Sequence, residues 1–156
     1  MKDQQGVTMI ELLVAIAILA MVSSLSFATH RKWQEHVFLT NQVGELRSAI
    51  VKTQQLAIAS AKDSAWGVHF EAAQYTIFSG SSYSEIDPNN EIYDLQGVLI
   101  VDPEIVLSDG IGGFGSNVIF SKFTGQTVNT GTIALMPEVN PAITKSITIY
   151  AVGQID

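Results

Sequence analysis

The first 60 residues combine a nearly continuous apolar run with a periodic one. From Val7 to Ala28 the chain is apolar apart from Glu11 and a few hydroxyl residues. About 22 residues of α-helix span about 33 Å, which is close to the hydrocarbon thickness of a membrane. The pattern therefore predicts a membrane-spanning helical segment over residues 7–28, preceded by a short polar segment, residues 1–6.

Beyond this run the pattern becomes that of an amphipathic helix, which we expect over residues 29–62. Apolar residues recur there at intervals of three and four, with a polar interruption at Thr53 or Gln54. The positions of this stripe are Leu39, Val43, Leu46, Ile50, Ala57 and Ala61. Such a stripe is typical of a helix that packs one face on a hydrophobic core, so we expect core packing rather than a cofactor site.

Residues 63–156 show the two-residue period of β-strands. The segments 66–70 and 75–78 predict a β-hairpin. Further strands are expected at 97–101, 105–107, 118–123, 132–135 and 146–152. The segment 81–94 predicts a polar loop with a turn at residues 87–90. One long helix followed by several strands predicts an α+β fold in which the helix packs on antiparallel sheet, with residues 63–156 as a β-rich globular domain.

Charge and cysteine content exclude several classes of function. The net charge is −7, and the β-rich part alone carries −9. Because such a domain repels phosphate backbones, we expect no direct DNA binding. The chain has no cysteine, which excludes disulfides, thiolate zinc sites and a catalytic cysteine.

The N-terminal 28 residues allow a plain membrane anchor or a secretory signal peptide. In the stretch Ser26-Phe27-Ala28, Ser26 and Ala28 offer small side chains for a cleavage before Thr29. However, the apolar run is longer than a usual signal core, and Lys2 is the only basic residue before it. Neither interpretation explains Glu11, whereas an intramembrane carboxylate is usually paired and functional.

The stretch GVTMIELLVAIAILA resembles the processing site of type IV prepilins and type II secretion pseudopilins. The matching positions are Gly6, Thr8, Glu11 and Leu12. Val7 stands where this family more often has phenylalanine. The resemblance implies that a prepilin peptidase cleaves between Gly6 and Val7 and methylates the new amine of Val7. It also implies that Glu11 pairs with this amine on a neighbouring subunit, so that Glu11 and Thr8 belong to an assembly site.

The same resemblance implies a location and a set of partners. The chain would enter the bacterial inner (cytoplasmic) membrane as a single-pass protein, with its C-terminal domain outside the cytoplasm, and later join an extracellular or periplasmic filament. Expected partners are the lipid bilayer, other pilin or pseudopilin subunits, the prepilin peptidase and the inner-membrane assembly platform. Arg31 and Lys32 follow the apolar run and by charge alone would favour the opposite orientation, but the processing motif outweighs this rule.

Three further stretches resemble the GspH/FimT-type minor pseudopilins: LRSAIVKTQQLAIASAKDSAWGVHF, VIFSKFTGQT and KSITIYAVGQI. This resemblance implies a type IV pilin-like fold, with the long N-terminal helix packed on antiparallel β-sheets. It also implies a structural subunit, a minor pilin or pseudopilin, of a type IV pilus or a type II secretion filament. The alternative is a membrane-anchored β-domain binding protein that does not polymerise and keeps residues 1–6.

Other sequence patterns give weak candidate sites. Gly110, Gly112 and Gly115 fit G-x-G-x-x-G, but a strand pattern follows where a dinucleotide fold needs a helix. A loop rich in oxygen ligands could hold Ca²⁺, although its spacing is not that of an EF-hand. Its residues are Glu85, Asp87, Asn89, Glu91 and Asp94.

No pattern of catalytic residues is visible in the sequence. The three histidines, His30, His36 and His69, share no motif and no helical face, so we expect no zinc site. No serine lies in a G-x-S-x-G motif. We therefore expect a structural protein rather than an enzyme, without a cofactor.

Overall fold

The computed structural model describes residues 7–101, 107–108 and 113–156, without the side chains of residues 24–32. Residues 1–6, which the prepilin resemblance implies are a leader peptide, lie outside the described residues. The chain forms two compact units, Met1–Val37 and Phe38–Asp156. One helix, α1 (Met9–Ile58), has residues in both units.

In the first unit, the described side chains of α1 are exposed from Met9 to Ser23. Among the described residues, no helix has a stretch that is both long enough and apolar enough to cross a membrane. Of the predicted membrane segment 7–28, the side chains of residues 24–28 lie outside the described part of the chain.

The second unit contains the rest of α1 and, in the described part of the chain, nine strands. They are β1 (Trp66–Phe70), β2 (Gln74–Ser79), β3 (Glu91–Asp94), β4 (Val98–Ile100), β5 (Leu107–Ser108), β6 (Phe114–Gly115), β7 (Asn117–Phe120), β8 (Gly131–Pro137) and β9 (Lys145–Ile149).

These strands form two antiparallel sheets. The first has four strands in the order β3-β2-β1-β7. The second has five strands in the order β4-β8-β5-β6, and β9 also pairs with β8. The hairpin predicted from the sequence is confirmed, since β1 pairs with β2 from Trp66↔Ser79 to Phe70↔Tyr75. The expected α+β architecture, a helix packed on antiparallel sheet, is therefore confirmed.

The predicted stripe of α1 forms the centre of the hydrophobic core. Leu39, Leu46, Ile50 and Ala57 are fully buried, while Val43 and Ala61 are partly buried against the core. The sheets supply the facing side chains, which include Val68, Phe70, Ile77, Val118 and Phe120 from the first and Ile133, Leu135, Ile147 and Ile149 from the second. One face of the helix thus packs against both sheets.

The polar interruption of the stripe is also part of this interface. Thr53 is fully buried, and its hydroxyl donates a hydrogen bond to the carbonyl of Ala49 at 2.8 Å. The amide of Gln54 donates to two carbonyls, at 3.0 Å to Gly125 and at 2.9 Å to Gly153. Gly125 lies in the loop after β7 and Gly153 in the loop after β9. The Gln54 side chain therefore connects both loops to α1.

Gly125 and Gly153 fit this arrangement for two reasons. Both have positive φ angles, 64° and 80°, which residues with a Cβ rarely adopt. A Cβ at Gly153 would also collide with Gln54, and one at Gly125 would collide with Ile58. The two turns can approach the helix because neither glycine has a side chain.

The helix ends at Ile58, four residues before the predicted end at residue 62. Ser60 and Lys62 adopt left-handed conformations, with φ of 53° and 54°, which end the helix. The carbonyl of Ala57 then accepts hydrogen bonds from the amides of Ser60 and Phe123, each at 3.0 Å. The apolar pattern continues through Ala61 because this residue packs on the core from a 3₁₀ turn, Ala61–Asp63.

Two strands lie where the sequence predicts none. The segment 81–94 ends in β3, which pairs with β2 in a register that stacks the rings of Tyr75 and Tyr93 with centroids 5.1 Å apart. The two-residue strand β6 lies inside the glycine-rich segment and pairs with β5. All four residues of β3 are exposed, so no alternation of buried and exposed positions marks this strand, and β6 has only two residues.

Two other strands end earlier than predicted. The segment 118–123 leaves the sheet after Phe120, because the chain turns where Gly125 donates its amide to the Ser121 carbonyl. The segment 146–152 leaves it after Ile149, at the turn closed by the Gly153 amide and the Tyr150 carbonyl.

The double hydrogen bond of Gln54 leads to a stability prediction. We expect Gln54→Ala to lower the free energy of unfolding by about 1–3 kcal/mol, because two partly buried carbonyls lose their donor. Urea unfolding of the full-length protein followed by circular dichroism measures this loss. Gln55→Ala, which removes the neighbouring exposed amide, is the matched control and is expected to change stability by less than about 0.5 kcal/mol. Equal effects of the two substitutions would contradict the role given to Gln54.

Candidate functional site

The predicted processing and assembly residues lie at the start of α1. Thr8 precedes the first helical residue, Met9. The Glu11 amide donates a long hydrogen bond, 3.4 Å, to the Thr8 hydroxyl, and the Leu12 amide donates to the Thr8 carbonyl at 3.2 Å. Thr8 is therefore the N-cap of the helix.

This capping role of Thr8 is additional to the assembly role that the family resemblance implies. The signal is present in the sequence as T-M-I-E, because a threonine followed three residues later by glutamate is the capping-box pattern. The same two residues thus match both the family motif and a helix start.

The geometry leaves the candidate residues accessible. Val7 is 73% exposed and, like Thr8, precedes the helix. The Glu11 side chain is exposed in the first turn, where the helix dipole favours a negative charge. Gly6 lies outside the described residues. An exposed carboxylate in this position can accept hydrogen bonds or a salt bridge from a cation supplied by another molecule.

The structure does not assemble the five candidate calcium ligands into a site. Asp87 accepts the amide and the side-chain amide of Asn89, both at 2.9 Å, and this closes the predicted turn. Glu91 is held by the ammonium of Lys52 at 2.9 Å and by the hydroxyl of Tyr93 at 2.8 Å. Within the described residues, no group of three or more histidine, cysteine or acidic side chains could hold a metal ion.

The remaining sequence candidates occupy structural positions. Gly110 and Gly112 lie outside the described residues, while Gly115 belongs to β6, after which the chain enters β7 rather than a helix. His69 lies in β1 with Nδ1 2.7 Å from the Asn117 Oδ1, and its ring stacks on Tyr83 with centroids 3.8 Å apart. These contacts are those of a side chain that packs on the sheet.

A feature that the sequence does not reveal is an open groove of about 900 Å³ between α1 and the β3 edge of the first sheet. Tyr75 and Tyr93 line it from the sheet, and Gly44, Glu45, Ser48 and Lys52 line it from the helix. A Cβ at Gly44 would meet no atom within 4 Å, so the glycine widens the groove rather than permitting a close contact.

At this groove, the described side chains leave one negative charge unpaired. Lys52 and Glu91 form an ion pair, whose hydrogen bond raises the pKa of Lys52 and lowers that of Glu91. Within the described part of the chain, Glu45 has no cationic partner. Burial raises the pKa of Tyr75 to about 12, and the negative charges of ionised Tyr93 and Glu45 add to this shift. The groove therefore carries an uncompensated negative charge beside two tyrosine rings.

Comparison with known proteins identifies the N-terminal segment. Residues 1–27 match the family described as the prokaryotic N-terminal methylation motif. Among curated proteins, none matches this sequence.

Two solved structures share the fold. Both are crystal forms of the type IV minor pilin FimU of Pseudomonas aeruginosa, each 14% identical in sequence. The first superposes with a TM-score of 0.56 over 80% of this chain and 90% of the pilin. The second does so with a TM-score of 0.52 over 76% of this chain and 90% of the pilin. The motif and the fold together confirm the resemblance to the type IV pilin and pseudopilin superfamily.

The cap at Thr8 leads to a local prediction. We expect Thr8→Ala to weaken the first turn of α1 by about 1 kcal/mol, because the Glu11 amide loses its acceptor. Hydrogen exchange at the amides of Glu11 and Leu12, measured by NMR on the full-length protein in detergent micelles, reports this change. Thr8→Ser keeps the hydroxyl and is the control. Equally fast exchange in both variants would contradict a capping role.

The raised pKa of Tyr75 leads to a prediction in alkaline solution. The unfolded chain ionises this phenol near pH 10, whereas the folded protein keeps its proton to about pH 12, so folding stability falls between these values. We expect Tyr75→Phe to make the loss between pH 8 and pH 11 smaller, by up to about 1–2 kcal/mol. Urea unfolding at pH 8 and at pH 11 measures this loss of unfolding free energy. Tyr150→Phe, which changes an exposed ring, is the control. The same loss in Tyr75→Phe as in the wild type would contradict this assignment.

Proposed function

We propose that this chain is a minor pilin or pseudopilin of the GspH/FimT type, a structural subunit of a type IV pilus or a type II secretion filament. The methylation motif over residues 1–27, at the start of a chain with the type IV pilin fold, carries this proposal and indicates a structural subunit rather than an enzyme. The minor pilin FimU, whose fold this chain shares, supports a minor rather than a major subunit.

The first step is processing by a prepilin peptidase. Hydrolysis of the bond between Gly6 and Val7 frees the α-amine of Val7, which then receives a methyl group. The absence of a side chain at Gly6 suits the passage of backbone through a protease site. The accessible, non-helical backbone of Val7 and Thr8 supports this step, because the helix begins only at Met9.

Before assembly, residues 7–28 anchor the subunit in the inner membrane, with residues 63–156 outside the cytoplasm. The apolar sequence of this segment supports the anchor. The methylation motif supports this orientation, because prepilins are processed on the cytoplasmic face. The charge of −9 on the β-rich domain argues against a direct role in binding DNA.

In the filament, the same segment is proposed to bundle with the helices of neighbouring subunits. Large apolar side chains are exposed along the first half of α1: Met9, Ile10, Leu12, Leu13, Val14, Ile16, Ile18, Leu19, Met21 and Val22. Such a surface is stable only when a membrane or another helix covers it. The Glu11 carboxylate then accepts a hydrogen bond from the methylated amine of Val7 of the next subunit. This ion pair fixes the axial register of the bundle.

The state of the N-terminus tests this function against its alternatives. We expect intact-mass and N-terminal peptide analysis of the protein from its native membrane to show a chain that starts at Val7 and carries one added methyl group. Gly6→Leu is expected to keep residues 1–6, because its side chain obstructs the protease site. A start at Thr29 would indicate a secretory signal peptide, and an intact Met1 in the wild type would indicate a plain anchor that does not polymerise. Either result would contradict the proposed function.

A further inference from the structure

We propose that the free edge of β3, together with the groove beside it, binds an extended segment of another polypeptide in which basic residues alternate with apolar ones. The bound segment would add a fifth strand to the first sheet. This inference does not rest on the proposed function, since the edge and the groove belong to residues 38–156 alone.

The first observation is that β3 presents unused backbone groups. In the pairing of β2 with β3, Tyr75 lies opposite Tyr93, and the Leu95 amide donates to the Ala73 carbonyl at 2.8 Å. Backbone groups alternate in direction along a strand, so those of residues 91, 93 and 95 point to β2. The amide and carbonyl groups of Ile92 and Asp94 therefore point away from the sheet, and in the described residues no other strand pairs with this edge. An edge of this kind is a template for strand addition.

The second observation is that the groove continues this edge on the helix side of the sheet. A strand added beside β3 would alternate its side chains between the groove and the opposite face, where Ile92 is 61% exposed. The groove has room for long side chains, because Gly44 leaves its helix wall open. The opposite face favours an apolar side chain beside Ile92.

The charges select the kind of side chain that enters the groove. Glu45 lies on the helix wall, where none of the described residues gives it a cationic partner, and the Tyr93 ring forms part of the sheet wall. An arginine or lysine can place its aliphatic stem against the tyrosine ring and its charge near Glu45. A basic residue on the groove side and an apolar residue on the other side therefore complement both faces of the added strand.

The same charges disfavour a second copy of this chain as the occupant. Because only Ile92 and Asp94 have outward backbone groups, two β3 strands could pair antiparallel only through these residues. A second copy would then bring the two acidic side chains of EIYD, and no basic one, to an edge that already carries Glu91 and Asp94. The four-residue strand EIYD thus disfavours pairing with itself and favours a partner of opposite charge.

The test uses the full-length protein in detergent micelles and a labelled, blocked pentapeptide of alternating arginine and valine. Fluorescence anisotropy at physiological salt is expected to show saturable binding.

Ile92→Pro removes only an outward amide, since the inward bonds belong to residues 91 and 93, and should weaken binding about tenfold. Glu45→Gln should weaken it about two- to fivefold, while Glu138→Gln, a charge change at the end of the other sheet, should leave it unchanged.

Two further measurements keep the test decisive. Because a Cβ at Gly44 meets no atom within 4 Å, Gly44→Leu places its side chain in the open groove and should abolish binding even if Ile92→Pro fails to fold. The same peptide with N-methylated backbone amides has the same charge and should not bind. Equal binding of the two peptides, unchanged affinity in Gly44→Leu, the absence of saturable binding, or a dimer of the protein that Ile92→Pro dissociates would each overturn the proposal.

Discussion

The burial of one face of α1 between residues 39 and 57 is the interaction on which the β domain depends. Leu46 and Ile50 at its centre are fully buried, and both sheets direct their apolar side chains to the same core. Full burial of one such side chain contributes about 1.5–3 kcal/mol. Because most of the strands are short and pair within two separate sheets, the helix is the element that combines them into one core.

Polar groups also hold the end of this helix, beside its buried Ala57. Gln54 and the Ala57 carbonyl bind the loops after β7 and β9, which brings Gly125 and Gly153 close to the helix. The same helix, Met9–Ile58, begins directly after its N-cap, Thr8.

Particular residues show how much of this structure could be predicted from the sequence. The stripe from Leu39 to Ala57 and the β1–β2 hairpin follow from local periodicity, and both are confirmed. The strand β3 could not be predicted, because pairing with β2 makes this segment extended and its own hydrophobic pattern does not indicate a strand. The capping role of Thr8 was present in the sequence as a four-residue signal, whereas the groove beside Gly44 arises from the spacing of helix and sheet and leaves no local trace.

The central claim is that Glu11 acts in a filament and not only in a membrane. The most direct measurement is quantitative mass spectrometry of sheared filaments and of membranes from cells that express the wild type, Glu11→Ala or Glu138→Ala. The account predicts that wild type and Glu138→Ala reach the filament fraction, and that Glu11→Ala remains in the membrane at wild-type abundance. Wild-type incorporation of Glu11→Ala, or the absence of the wild-type chain from every filament fraction, would contradict it.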